Sequence, residues 1–198
     1  MRLRALTLTP IVAAALALPA AAAPAQAAEQ TEPVTACVLD VSAAAPKPVC
    51  FASFTEAVAR ATGSRITNAP ADGNAAVRDS AFRARLEASN ARGGKQSASR
   101  AAAADIVIGI EYEDSDFEGS RLIVTATSGC TSTLADTDWL MSGLSSDWND
   151  EIGSYQAFAN CYAKHYEHIN FTGVSTAYDA GQADMGWMDD EASSITWS

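Results

Sequence analysis

Two short acidic stretches near the end of the chain carry the residues best suited to chemistry. The first reads NDEIGS at residues 149–154, and the second reads DDEASS at residues 189–194. Each combines carboxylate or amide side chains with a hydroxyl group, so several oxygen atoms can converge within one turn. A hard cation such as Ca²⁺ takes about six to eight oxygen ligands of these kinds at loose geometry. The stretches therefore predict cation binding.

An aromatic motif precedes each acidic stretch and forms an internal repeat with it. The motif is YExxxFxG, at residues 112–119 and again at residues 166–173. A repeat of this size indicates two similar units that pack on each other, because neither buries its apolar face alone. We expect Phe117 and Phe171 to fill the space between two sheets and the motif tyrosines to cover the hairpins. The motif glycines suit hairpin positions with positive φ.

Short β-branched or aromatic runs, bounded by Gly, Asp, Asn and Ser, surround these motifs. Their spacing predicts antiparallel strands in an all-β sandwich of about a hundred residues. The expected strands cover residues 106–112, 121–126, 155–158, 162–167 and 195–197.

The start of the chain has the features of an export signal. Two arginines lead an apolar run that ends in small residues of the A-x-A type, which predicts a signal peptide at residues 1–28. No later segment has the length and apolarity of a membrane span. We therefore expect a secreted, extracellular protein without membrane insertion.

The sequence pattern of residues 29–92 predicts that this region forms a small α+β unit, whose role is unknown. Two short apolar runs around Cys37 and Cys50 suit a hairpin, and a capping-box spacing begins a helix at Ser53. A second helix is expected at residues 75–88. The small polar segment at residues 93–104 reads as a linker to a second folding unit at residues 105–198.

Charge divides the chain unevenly. Residues 29–104 hold seven acidic and nine basic residues, whereas residues 105–198 hold seventeen acidic and two basic ones. A surface of that charge repels nucleic acid and anionic lipid, so both are poor partners. Cations are the natural counter-ligands of the C-terminal half.

Four cysteines in an exported chain predict disulfides. Three pairings are possible, and proximity in the sequence favours Cys37 with Cys50 and Cys130 with Cys161. The first copy of the repeat is longer than the second by fourteen residues. We expect this additional segment, around residues 130–144, to form a loop tied down by the second disulfide.

The repeated aromatic motif followed by an acidic doublet and a Ser-rich end resembles the βγ-crystallin Greek-key motif in its microbial, calcium-binding form. Both motifs occur in the right order, and the resemblance covers residues 105–198. It implies an all-β Greek-key sandwich of two motifs, preceded here by the small α+β region.

The resemblance also implies calcium sites that combine a stretch from one copy with groups from the other. The implied contacts are the motif glutamate, the acidic doublet, a backbone oxygen at the third stretch position and a hydroxyl at the fifth. The first stretch has Gly153 at the fifth position, so water must replace a hydroxyl there. We expect one or two ions in unequal sites, the site with Ser193 being the tighter. The predicted ligands are Glu113, Asn149, Asp150, Glu151, Glu167, Asp189, Asp190, Glu191 and Ser193.

Catalysis is not expected from this sequence. His165 and His168 are the only histidines, and at this spacing in a strand they point to opposite faces. No nucleophile elbow or zinc-protease motif is present. Two other functions remain open for a crystallin-like fold: a secreted protease inhibitor of the metalloproteinase-inhibitor kind, and a killer-toxin-like or cell-wall-binding protein. Their partners would be an extracellular protease or a cell-wall component.

Overall fold

The computed structural model describes residues 34–97 and 105–198. The predicted signal peptide and residues 98–104 of the predicted linker lie outside the described residues. The helices are α1 Phe54–Ala61, α2 Gly73–Arg78 and α3 Ser80–Ser97. The strands are β1 Ala36–Asp40, β2 Val49–Phe51, β3 Ile106–Tyr112, β4 Arg121–Ala126, β5 Trp139–Met141, β6 Ser154–Ala157, β7 Ala163–His168, β8 Thr172–Ser175, β9 Gly181–Gln182 and β10 Ser194–Trp197.

The strands form two sheets. The six-stranded sheet has the order β2-β1-β4-β3-β6-β9, and the four-stranded sheet has the order β5-β10-β7-β8. Strand β1 runs parallel to β4, whereas the other pairs of named strands are antiparallel. The strands expected in the C-terminal half are all present, with ends shifted by one residue in three of them. The prediction of an all-β sandwich preceded by a small α+β region is confirmed.

The six-stranded sheet carries an apolar core on each face. Successive side chains of a strand point to opposite faces, so Cys37 and Leu39 join the core between the two sheets. Ala36 and Val38 join an outer core, in which Phe82 and other helical side chains cover the sheet. The layers are therefore helices, six-stranded sheet and four-stranded sheet.

The prediction of two folding units separated by a linker at residues 93–104 is wrong for the described part of that segment. Helix α3 continues to Ser97, and β1 extends the C-terminal sheet through five residue pairs with β4. Gly93 lies in a close contact: a Cβ there would stand 2.5 Å from Cδ1 of Ile106. The glycine that suggested a linker thus allows the helix to approach the sheet.

Polar contacts at the end of this helix hold it to β3. Asn90 accepts a hydrogen bond from the backbone N–H of Val107 at 3.0 Å and donates one to its carbonyl at 2.9 Å. Arg65, which lies between α1 and α2, links the two elements: it forms an ion pair with Asp105, just before β3, and donates a hydrogen bond to Ser89 of the helix at 2.9 Å. Buried backbone groups need such partners, and here the helical layer supplies them.

The first helix begins where the capping box predicts. Ser53 accepts a hydrogen bond from the Glu56 N–H at 3.2 Å, and Gly63 follows the helix with φ 56°. The second prediction, one helix at residues 75–88, is wrong because the chain is extended at Asp79. The carboxylate of Asp79 accepts from Ala81 N–H at 2.8 Å and caps a new helix instead.

Both disulfides are confirmed, Cys37 with Cys50 and Cys130 with Cys161. The first joins β1 and β2, whose pairing confirms the predicted hairpin. The expectation of a plain loop at residues 130–144 is only partly met, because β5 lies inside it and pairs with β10. Within the described residues, no helix is long and apolar enough to cross a membrane.

Candidate metal-binding site

Each copy of the repeat forms a hairpin whose two motif rings pack edge to face. The ring centroids are 5.4 Å apart for Tyr112 and Phe117, and 5.7 Å apart for Tyr166 and Phe171. Both phenylalanines have positive φ, 65° and 60°, which turns them back over the hairpin tyrosines. The prediction that they fill the space between the sheets is therefore wrong. Phe117 packs on the outer core, and Phe171 is half exposed.

The motif glycines have the backbone conformation expected of them, with φ 71° at Gly119 and 79° at Gly173. The motif glutamates brace the same hairpins. Glu113 Oε2 accepts from the Ser120 N–H at 2.8 Å, and Glu167 Oε2 accepts from the Val174 N–H at 3.2 Å. Each carboxylate thus keeps its own hairpin closed.

The two acidic stretches bind to each other and to the ends of the motif strands. Asp150 N–H donates to the Ala192 carbonyl at 3.1 Å, and Asp190 N–H donates to the Ile152 carbonyl at 3.3 Å. The residues at the fifth position of each stretch also make equivalent bonds. Gly153 N–H donates to the Tyr112 carbonyl at 3.0 Å, and Ser193 N–H donates to the Tyr166 carbonyl at 2.9 Å. The two stretches therefore lie side by side, with an approximate twofold relation.

The last serine of each stretch has a role that the sequence did not reveal. Ser154 Oγ donates to the Asp114 carbonyl at 2.6 Å and accepts from Phe117 N–H at 3.0 Å. Ser194 Oγ makes the equivalent bonds with His168 and with Phe171, at 2.6 Å and 3.1 Å. These hydroxyls fasten the stretch of each copy to its own hairpin. Their shared position at the end of both stretches was the available signal.

Oxygen atoms converge around Gly153, in what we call the first site. A Cβ on Gly153 would stand 2.8 Å from the Glu113 carbonyl oxygen and 2.8 Å from Asp189 Oδ1. It would also stand 2.7 Å from the carbonyl carbon of Asp114. The first site thus joins the hairpin of one copy to the doublet of the other.

The electrostatics of the first site are those of unneutralised carboxylates. Partial burial raises the pKa of Asp190, and the charges of Asp189, Asp114, Glu113 and Glu191 raise it further. Among the ion pairs of the described residues, none involves any of these five side chains. A cation placed there would relieve their mutual repulsion.

The equivalent second site contains Ser193 and fewer charges. Ser193 Oγ donates to Asp150 Oδ1 at 3.2 Å, and Asn149 Nδ2 donates to Asp150 Oδ2 at 2.6 Å. An amide therefore stands where the first site has the carboxylate of Asp189, and His168 stands where the first site has Asp114.

Side chains alone do not form a ready cluster: among the described residues, no group of three or more His, Cys, Asp and Glu side chains is placed to hold a metal. The oxygens of both sites come partly from the backbone. Glu151 and Glu191 occupy the third stretch positions, and the expectation that their carbonyl oxygens are ligands stays a prediction.

The histidines do not form a joint site in the described structure. His165 is completely buried and lies 3.1 Å, Nε2 to Oε2, from the equally buried Glu111. The His168 side chain is 62% exposed and its nearest carboxylate, Glu167, is 3.9 Å away. The Glu111–His165 pair was not found from the sequence.

No protein-family model matches the sequence, and no curated protein matches it. Solved structures of βγ-crystallin domains are similar to 46% of the chain. A domain from Flavobacterium johnsoniae is 20% identical over 93% of its own length, with a TM-score of 0.35. The N-terminal domain of Protein S is 18% identical over 94% of its length, with a TM-score of 0.36. A βγ-crystallin from an archaeon is 22% identical over 98% of its length, with a TM-score of 0.34.

The predicted all-β sandwich of the C-terminal half, built from two similar motifs, is confirmed by the structure. Within the molecule, the fold is evident from the paired sheets and the duplicated hairpin and stretch contacts.

Proposed function

We propose that this chain is a secreted calcium-binding protein in which the ion stabilises the crystallin-like sandwich. The observation that supports this most directly is the first site. There, the Glu113 carbonyl and Asp189 approach the same point, and partial burial together with four neighbouring carboxylates raises the pKa of Asp190.

The donor atoms of both sites fit calcium. The proposed ligands are carboxylate, amide, hydroxyl and backbone carbonyl oxygens, and none of them is the thiolate or imidazole that zinc and softer metals prefer. The first site would use Glu113, Asp189, Asp190 and the backbone of Glu151 or Glu191. The second would use Glu167, Asn149, Asp150 and Ser193. When bound, Ca²⁺ would supply positive charge and neutralise the facing carboxylates.

The two sites differ in charge, and this difference sets the proposed order of affinity. Calcium affinity rises with the number of charged ligands, and the first site has carboxylates where the second has Asn149 and His168. The hydroxyl that the first site lacks is a neutral ligand that water can replace. We therefore propose the first site as the tighter one, the reverse of the order expected from Ser193 alone.

The ion would act as a cross-link between the two copies. Each site draws on the hairpin of one copy and the doublet of the other, so binding requires both copies to be folded and paired. A ligand that binds only the folded state at one hundred times its dissociation constant adds about 2.7 kcal/mol of stability. Binding is the proposed role, and no reaction is assigned to the chain.

Export is part of the proposal because the N-terminal sequence has the features of a signal peptide. Two disulfides join the described cysteines, and such bonds persist in oxidising compartments. Extracellular calcium would keep a site of on the order of 10⁻⁴ M affinity occupied.

The test is calorimetric calcium titration and thermal unfolding of the mature protein, with EDTA and magnesium as references. We expect calcium-specific heat and a melting temperature raised by several degrees. Asp190→Asn should remove the tighter binding event and Asp150→Asn the weaker one. Asp136→Asn, which removes the same charge in the exposed segment at residues 131–137, is the matched control. Equal shifts with magnesium, or no calcium heat at all, would contradict the proposal.

A second function has one supporting observation. Residues 131–137 are exposed, and a disulfide and two hydrogen bonds hold the first part of this segment in place. Cys130 is bonded to Cys161, Asn160 donates to the Thr131 carbonyl at 2.5 Å, and Ser198 donates to the Thr133 carbonyl at 3.0 Å. Such a loop suits protease inhibition or attachment to a cell-wall component.

Inhibition assays against a panel of extracellular proteases test this second function. Leu134, whose exposed fraction is 52%, is the natural anchor of the loop. Leu134→Ala should weaken any inhibition, whereas Val174→Ala, an equally exposed apolar residue on β8, should not.

A further inference from the structure

Glu111 and His165 occupy the same position in the two copies of the repeat. Each directly precedes the motif tyrosine and lies two residues before the motif glutamate. Glu111 belongs to β3 of the six-stranded sheet, and His165 belongs to β7 of the four-stranded sheet. Their 3.1 Å contact therefore joins the two sheets, and the two copies, at equivalent points.

Burying this polar pair in a packed core costs free energy of folding. Both residues are 0% exposed, and Glu111 Oε1 and His165 Nδ1 have no hydrogen-bond partner among the described residues. The neighbouring Tyr155 hydroxyl and Trp197 Nε1 also lack one there. Replacing a buried polar pair by apolar side chains is often neutral or stabilising. Stability alone therefore does not account for the pair.

The pair lies close to both proposed calcium sites along the strands. Two residues of extended chain span about 7 Å, which is the distance along the chain from Glu111, in β3, to Glu113 just after it, and within β7 from His165 to Glu167. The Glu113 carbonyl faces Asp189 of the other copy across the first site. Because each site takes ligands from both copies, the relative placement of the copies sets the spacing of its oxygens.

We infer that Glu111 and His165 are positioning residues for both calcium sites. Their hydrogen bond holds β3 against β7 so that each hairpin faces the doublet of the other copy at the spacing that calcium requires. The inference rests on the proposed function and assigns it two residues that touch no ion.

The experiment compares the mature protein with the double variant Glu111→Leu/His165→Leu. The apolar pair should leave calcium-free unfolding unchanged or shifted to higher temperature. Calcium affinity, measured by calorimetric titration, should fall about tenfold at both sites, as is typical when groups that orient ligands are removed. A role in stability alone would lower the melting temperature and leave the affinity of the folded protein unchanged.

Tyr155→Phe is the matched control. It removes a hydroxyl from the same interior but keeps the pair, so calcium affinity should stay at the wild-type value. If the leucines prevent folding, Glu111→Gln keeps the shape and weakens the hydrogen bond, and a smaller loss at both sites is expected.

The outcomes separate the two proposals. No calcium binding by the wild-type protein overturns the proposed function, and the inference falls with it. Calcium binding by the wild type with affinities unchanged in a folded variant overturns the inference and leaves the proposed function standing.

Discussion

Gly153→Ser tests whether a side chain fits at the fifth position of the first stretch. The position either merely lacks a hydroxyl ligand or has no room for one, because neighbouring atoms fill the space. Comparison of the two stretches suggests that a serine there would restore a hydroxyl ligand, as at Ser193. In the structure, however, the new Cβ would meet Asp114, Glu113 and Asp189 at 2.7 to 2.8 Å. Ordinary carbon contacts lie at about 3.5 to 4.0 Å. We therefore expect the substitution to destabilise the protein.

The size of the expected loss in stability depends on whether the atoms that the new Cβ would meet can move away. Two of the three belong to the backbone of the Glu113 hairpin and cannot rotate away, whereas the Asp189 side chain can. Overpacking of this kind costs about 1 to 3 kcal/mol, so we expect about 2 kcal/mol for Gly153→Ser without calcium. In a domain of this size, that lowers the melting temperature by about 4 to 8 °C.

Thermal and urea unfolding in EDTA measure this loss. Gly143→Ser is the matched control, because its Cβ would meet only Ile169, at an ordinary 3.6 Å. A Gly153→Ser protein that is as stable as the control, and that binds calcium more tightly than the wild type, would refute the reasoning from the crowded atoms.

Three further predictions follow from the described contacts. Asn90→Ala leaves two backbone groups of β3 without partners and should cost about 2 to 4 kcal/mol in urea unfolding; an unchanged urea midpoint would contradict this. Burial raises the pKa of both Tyr112 and Tyr155, so the folded state favours their protonated forms and stability should fall as the pH rises above the usual tyrosine pKa of 10.0. Between pH 10 and 12, the free energy of unfolding should fall less in Tyr155→Phe than in the wild type. An identical fall in both proteins would contradict this prediction. Replacing Cys130 and Cys161 by serine opens a loop of 31 residues and should cost about 3 to 4 kcal/mol in the chain-entropy model, which thermal unfolding with and without reductant can check.

Local patterns predicted the elements whose causes are local. The capping box at Ser53 begins α1, the motif glycines adopt positive φ, and the alternating runs form strands at their expected places. Each depends on a few neighbouring residues, through a side-chain cap, a backbone preference or strand periodicity. The helix break at Asp79 is also local, because the Asp79 carboxylate caps a new helix at a point where apolar periodicity alone predicts a continuous one.

Predictions that needed distant partners were less successful. Gly93 read as part of a linker, although it lies in a helix that packs on Ile106. Phe117 and Phe171 read as core residues between the sheets, but two positive φ angles turn each onto its own hairpin. In the candidate site, the ligand roles of the doublets and motif glutamates stay predictions, whereas the hydrogen bonds of Ser154 and Ser194 were not predicted.

Sequence alone is enough to identify the repeat, the all-β class of the C-terminal half and the oxygen-rich residues from which a cation site can be built, and it favours one of three disulfide pairings. Spacing and residue type are enough for these, because they depend on order along the chain. The folded arrangement of the layers is what brings β1 beside β4 in one sheet and the Glu113 carbonyl to Asp189 at Gly153. It also decided that Glu111 meets His165 between the sheets. Those contacts join residues far apart in the chain, and the packing of complete layers determines which distant residues become neighbours.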